Sequence, residues 1–120
     1  MIYIIEDDDS VREAIRTFLK CKGLKSQSFG SAEEFLAGCT LEHNDILILD
    51  LNLPGISGYD LLTKLNVNQT KLNVIVTTAF DEPGSRKFCL EHGAKSYLRK
   101  PVDGEALLDM IKFNLLQQTP

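Results

Sequence analysis

Two hydrophobic rhythms alternate along the chain. Ile2, Tyr3, Ile4 and Ile5 form a short unbroken apolar run, the pattern of a strand covered on both faces of a sheet. Val11, Ile15, Phe18 and Leu19 then follow helical spacing up to Gly23, which predicts a helix over residues 10–22 with Ser10 and Glu13 as its capping box. Leu24 to Phe29 alternates apolar with polar positions and reads as a second strand near a sheet edge. Ser31 and Glu34 open a short helix through Phe35 and Leu36 that ends near Gly38. A second unbroken run, Ile46 to Leu49, delivers Asp50 to a turn marked by Pro54, Gly55 and Gly58.

The same alternation continues to the end. Leu61, Leu62 and Leu65 mark a helix, followed by a polar connection containing Asn66, Asn68 and Asn73. Val74, Ile75, Val76 and Thr77 read as a fourth strand, closed by Thr78 and Ala79. The next helix is predicted over residues 85–92, with Asp81 as its cap and Pro83 in its first turn, and Gly93 stops it. Tyr97, Leu98 and Arg99 make a short fifth strand ending in Lys100 and Pro101. Asp103 then caps a last helix bearing Leu107, Leu108, Ile111 and Leu115.

Strands that alternate with helices through short connections imply a parallel sheet with helices on both faces, a doubly wound α/β fold. In such a sheet every strand ends on the same rim, where open α/β folds bind ligands. Glu6, Asp7, Asp50, Thr78 and Lys100 therefore converge although they are far apart in sequence. Asp50 alone would be an ordinary turn residue; the converging set is what makes it a candidate for chemistry. Asp8 and Asp9 have a structural reason to be present, since acids at a helix N-terminus are favoured by its dipole. Glu6 and Asp7 precede the helix and call for a cation or exposure to water.

Composition narrows the function. The 120 residues, 43% hydrophobic, fit one domain spanning 1–120. With 13 basic and 17 acidic residues the net charge is -4, which argues against nucleic-acid or membrane-surface binding by this segment. The absence of a membrane-length apolar run or a signal-like N-terminus points to a cytoplasmic address. Cys21, Cys39 and Cys89 lack paired spacing and are expected to be reduced thiols serving as small core residues. His43 and His92 are expected at the surface, without ligands near enough in sequence for metal binding.

The stretches IYIIEDDDSVR, LDLNLPGISG, VTTAF and SYLRKP resemble the motifs of a response regulator receiver domain, and the likeness covers essentially the whole chain. The resemblance implies a flavodoxin-like sheet of order 2-1-3-4-5, a bound Mg2+, and an aspartate that takes a phosphoryl group from the histidine of a sensor kinase. By position Asp50 matches the phosphoacceptor, and Glu6 and Asp7 match the acidic pair at the metal. Asn52 matches the residue whose backbone carbonyl joins the metal shell, Thr78 the switch hydroxyl, Lys100 the phosphate-binding lysine and Tyr97 the switch aromatic. Phe80 falls where the family places a side chain over the phosphorylation site.

Such a domain is not an enzyme in the usual sense, because it catalyses only its own phosphorylation and dephosphorylation. The resemblance further implies that charging Asp50 draws Thr78 inward and lets Tyr97 turn toward the core. A phosphorylation-dependent homodimer is expected through the fourth helix, fifth strand and fifth helix. Residues 117–120 read as the start of a linker to an output domain beyond 120, through which alone DNA would be bound and transcription regulated. The physics suits these roles. Two carboxylates about 4 Å apart repel by roughly 4 kcal/mol at an effective dielectric near 20, and Mg2+ takes a few carboxylates, keeps several waters and bridges to phosphate. The alternative of a phosphohydrolase of the haloacid dehalogenase type wants a second aspartate two residues after the first, where this chain has Asn52, which cannot act as a general acid.

Overall fold

The computed structural model describes residues 1–39, 41, 42, 44–65 and 72–117. Strands and helices alternate: β1 (Ile2–Ile5), α1 (Asp9–Cys21), β2 (Ser26–Phe29), α2 (Ala32–Gly38), β3 (Ile46–Asp50), α3 (Gly58–Leu65), β4 (Asn73–Thr78), α4 (Ser85–Glu91), β5 (Ala94–Arg99) and α5 (Gly104–Gln117). The five strands are all parallel and lie in the order β2-β1-β3-β4-β5, the flavodoxin-like order. β2 is an edge strand, which explains why it alternates apolar with polar residues where β1, β3 and β4 are buried throughout.

The period-two geometry of strands divides the apolar runs between two cores. On one face Tyr3, Ile5, Leu47, Leu49, Val74 and Val76 pack with Phe35, Leu61, Leu62 and Cys89 from α2, α3 and α4. On the other, Ile2, Ile4, Ile46, Ile48 and Ile75 pack with Ile15, Leu19, Leu107 and Ile111 from α1 and α5. Each fully buried aliphatic side chain stabilises the fold by about 1.5–3 kcal/mol relative to exposure, so the central strands anchor the rim that they carry. Among the described residues no helix is long and apolar enough to cross a membrane.

Local structure departs from expectation in several places, each for a physical reason. The cap of α1 is Asp8, not Ser10: its Oδ1 accepts the Ser10 and Val11 N–H groups at 2.9 and 3.2 Å. A carboxylate both satisfies those donors and complements the helix dipole, and Glu13 is left to pair with Arg16 at 3.3 Å. At α2 Ser31 caps as expected, accepting from Glu34 N–H at 3.1 Å, but the Glu34 carboxylate reaches Gly30 N–H rather than Ser31. Asn73 belongs to β4 and not to the connection before it, because its N–H bonds the Asp45 carbonyl at 3.0 Å. Asp81 does not cap α4: Gly84 occupies the cap position with φ +83° and no side-chain bond. β5 starts three residues earlier than its apolar residues suggest, at the small, buried Ala94.

Only Cys89 is a fully buried thiol; Cys39 is half-buried and Cys21 exposed on α1. His92 is half-buried, with Nδ1 2.8 Å from the Phe88 carbonyl and its ring stacked on Phe88 at 4.0 Å. His43, Asn66, Asn68 and residues 118–120 lie outside the described residues, and Gln117 is the last residue of α5.

Candidate functional site

The carboxyl ends of β1, β3 and β5 build the site. Glu6 follows β1 directly and is held by its backbone: its N–H bonds Phe29 O at 3.1 Å on β2, and its carbonyl accepts from Arg12 Nη1 at 2.8 Å. Its side chain is 2% exposed, with Oε2 accepting the Asp8 N–H at 3.1 Å. Asp50, the last residue of β3, is equally buried at 2%, and its Oδ1 accepts the Asn52 N–H at 3.1 Å. Asp7 is exposed beside them. Ligand oxygens of Glu6, Asp7 and Asp50 all lie within 4.8 Å of one another.

Lys100, one residue past β5, closes this cluster. Its Nζ is 2.5 Å from Glu6 Oε1 and 3.2 Å from Asp50 Oδ2. Burial pushes Glu6 up to about 7, against the hydrogen bonds from Lys100 and Asp8 that pull it down, and the charge of Asp50 adds to the rise. For Lys100 burial works downward, yet the hydrogen bond to Glu6 and the charges of Asp50 and Glu6 outweigh it and raise its ammonium above the usual value. Ionised, the three carboxylates exceed this one ammonium by two negative charges. The donors are all hard oxygens in that excess, which is the chemistry Mg2+ binds, so the residues present fit such an ion.

Beside the acids lies a hydroxyl. Thr78, the last residue of β4, is 0% exposed; its Oγ1 is 3.0 Å from Asn52 Oδ1 and 2.9 Å from the Phe80 carbonyl, and accepts the Phe80 N–H at 3.1 Å. The Phe80 side chain is 62% exposed. Tyr97 on β5 faces inward, 9% exposed, with its hydroxyl 3.0 Å from both Ser85 Oγ and Asp81 Oδ1. Burial, with Asp81 adding to it and Ser85 opposing, raises its phenol above the usual value.

The structure thus brings Glu6, Asp7, Asp50 and Lys100 into one pocket and puts Asn52 next to Asp50. Thr78 hydrogen-bonds the Asn52 amide and not Asp50. Several contributors escape the sequence pattern. Arg12 holds the Glu6 carbonyl. Glu33 on α2 accepts the Ile56 N–H at 3.3 Å and occupies the space a Cβ at Gly55 would need. Ser85 joins Tyr59 at 2.7 Å to Tyr97. Gly55, at φ +73°, was the one signal of a close approach, although it does not say by what.

Comparison with known proteins gives one consistent family. Residues 2–112 match the family model described as the response regulator receiver domain. The chain is 35% identical over 115 residues to the transcriptional regulatory protein FixJ of Azorhizobium caulinodans, covering 95% of this chain and 54% of that protein. It is 32% identical over 119 residues to the response regulator protein FleR of Pseudomonas aeruginosa, covering 99% of this chain and 25% of that one. The chain therefore spans about half or a quarter of these relatives' lengths. A solved CheY-like response regulator receiver domain protein from Methanospirillum hungatei superposes with a TM-score of 0.86 at 28% identity, over 98% of this chain and 94% of that one.

Proposed function

Because this chain belongs to the response regulator receiver domain family, we propose that it is a two-component phosphoacceptor in which Asp50 takes a phosphoryl group from the phosphohistidine of a sensor kinase. The observation that supports this most is the buried Asp50 carboxylate, oriented on one oxygen by the Asn52 N–H and faced on the other by Lys100. A carboxylate so fixed can attack phosphorus in line: the new bond forms to a carboxylate oxygen as the phosphorus–nitrogen bond to histidine breaks. The Lys100 ammonium has three protons, so it can keep Glu6 and still donate to a phosphoryl oxygen, where its charge counts most as the transition state forms.

Glu6, Asp7, Asp50 and the Asn52 backbone carbonyl would hold Mg2+, which when bound supplies the positive charge that lets an anionic phosphodonor approach three carboxylates. Phosphorylation adds about -1.5 to -2 charges and strong acceptor oxygens, and the buried Thr78 hydroxyl is the donor on the neighbouring strand that can answer them. Transcription regulation through a further domain is the output suggested by likeness to FixJ, and self-association through α4, β5 and α5 is the means we propose for passing the signal on.

Acetyl phosphate with Mg2+ should add one phosphoryl group to the wild type and none to Asp50→Asn, read by intact mass. Equal labelling of the two would remove Asp50 as the acceptor, and labelling undiminished by chelator would remove the metal. Sedimentation with and without beryllium fluoride tests the self-association.

A further inference from the structure

The side chain of Asn52 takes no part in the reading above, which uses only its backbone N–H and carbonyl. Yet Asn52 Oδ1 lies 3.0 Å from Thr78 Oγ1, 26 residues away in sequence. A hydroxyl carries one proton and two lone pairs. The Phe80 N–H already occupies one lone pair, at 3.1 Å, and the proton is divided between Asn52 Oδ1 and the Phe80 carbonyl at 2.9 Å. Thr78 is wholly buried, so its proton is shared between protein acceptors, although Asn52 is exposed and water competes for its amide oxygen; neither acceptor belongs to Asp50. To donate to a phosphoryl oxygen on Asp50, Thr78 must first give up these bonds.

Asn52 is also tied to the acceptor itself, since its N–H donates to Asp50 Oδ1 at 3.1 Å. One residue therefore touches the carboxylate through its backbone and the hydroxyl through its side chain. We propose that the Asn52 amide is a positioning residue that latches the Thr78 hydroxyl in the resting arrangement and so sets how many uncharged chains visit the active one. The contact stands independently; its consequence for signalling rests on the phosphoacceptor reading. A ligand or modification shifts a two-state equilibrium only by its differential interaction with the two states, and here the latch belongs to the resting state alone. One neutral hydrogen bond of this kind supports a shift of about three- to tenfold. Removing Asn52 Oδ1 leaves Thr78 the Phe80 carbonyl, so no buried hydroxyl is orphaned and the variant should fold.

The test uses the full chain, with Asn52→Leu to keep side-chain bulk while removing the acceptor, Thr78→Ala, and the double variant. NMR three-bond couplings report the Thr78 χ1 rotamer in the chain free of metal and phosphodonor; beryllium fluoride titration with saturating Mg2+ reports the affinity for a phosphoryl mimic. Asn52→Leu should populate a second Thr78 rotamer and bind the mimic about three- to tenfold more tightly, whereas in the Thr78→Ala background the same substitution should change affinity less than about twofold. An unchanged Thr78 rotamer overturns the latch. So does an affinity gain that persists without the Thr78 hydroxyl, because Asn52 would then act by another route. If the rotamer responds but no variant nor wild type binds the mimic, the phosphoacceptor reading fails and the latch stands as a contact without that consequence.

Discussion

Lys100 and Glu6 lie 94 residues apart in sequence, yet the Lys100 ammonium meets the Glu6 carboxylate at 2.5 Å, with Asp50 as its second partner at 3.2 Å. One cation thus answers two buried acids that open and centre the sheet. Replacing it by Met should destabilise the metal-free chain by about 3 kcal/mol, the order seen when one partner of a buried pair is removed. Mg2+ should then restore more stability to Lys100→Met than it adds to the wild type, because in the wild type the ammonium and the metal draw on the same carboxylates. Urea midpoints with and without Mg2+ measure both increments; equal increments would show that Lys100 and the metal do not share ligands.

Gly58 makes a second, purely steric claim. It starts α3 with its N–H on the Leu51 carbonyl at 3.0 Å, and a Cβ there would lie 2.6 Å from both the Asp50 carbonyl oxygen and Leu51 Cα. Backbone cannot step aside as a side chain can, so Gly58→Ala should cost about 1–3 kcal/mol. Gly104→Ala is the contrast: its nearest neighbours, at 2.8 and 2.9 Å, are ring atoms of Phe18, which can turn, and Ala is the better helix former. A smaller loss at Gly58 than at Gly104 by chemical denaturation would contradict this.

The features legible in the sequence and those hidden from it divide along physical lines. The apolar runs of β1, β3 and β4 were legible because strands buried on both faces leave no room for polar residues. For the same reason the acids at the ends of β1 and β3, Glu6, Asp7 and Asp50, stand out; Lys100, which follows the only partly buried β5, is marked by the resemblance and by the Pro101 after it. The order of the strands was not in the periodicity, and came from the resemblance alone. Contacts that depend on tertiary approach were invisible: the Asn52 amide on Thr78, Arg12 on the Glu6 carbonyl, and Ser85 between Tyr59 and Tyr97. Asp81 shows why a local rule can mislead. It has the form of a helix cap, but Tyr97 and Arg99 from the next strand, at 3.0 and 3.2 Å, take its oxygens.

The three thiols should separate by reactivity. Cys21 is exposed, Cys39 half-buried with burial raising its pKa, and Cys89 buried with its pKa pushed up to about 11. Since the thiolate is the nucleophile, iodoacetamide near pH 8 should alkylate Cys21 first and Cys89 only on unfolding, as peptide mapping would show. The sign of the stability effect follows. An unfolded Cys89 ionises near 9 while the folded one keeps its proton to about 11, so the native state holds the extra proton between those values. Its contribution is therefore complete below about pH 9 and is lost as pH rises to about 11. The stability difference between wild type and Cys89→Ala should shrink over that interval; a difference that stays flat or grows would show the thiol is not so perturbed.

Tyr97 carries the last prediction, because two partners fix its hydroxyl on the inward side of β5. Its ring is 9% exposed, and its hydroxyl is fixed by Ser85 and Asp81. Ser85 is itself buried and bonded to Tyr59, and Asp81 is paired with Arg99 at 3.2 Å, so the phenol is one link in a chain running from α3 to β5. Turning Tyr97 outward would break its two bonds and expose the ring. Charging Asp50 should therefore leave the burial of Tyr97 unchanged. With fluorotyrosine incorporated, the Tyr97 fluorine resonance should show the small solvent isotope shift of a buried ring both with and without beryllium fluoride. Tyr97→Phe should cost only about 0.5–1.5 kcal/mol, since Ser85 keeps Tyr59 and Asp81 keeps Arg99. A resonance that is solvent-exposed in the free chain and becomes protected when the mimic binds would show instead that the ring rotates as Asp50 is charged.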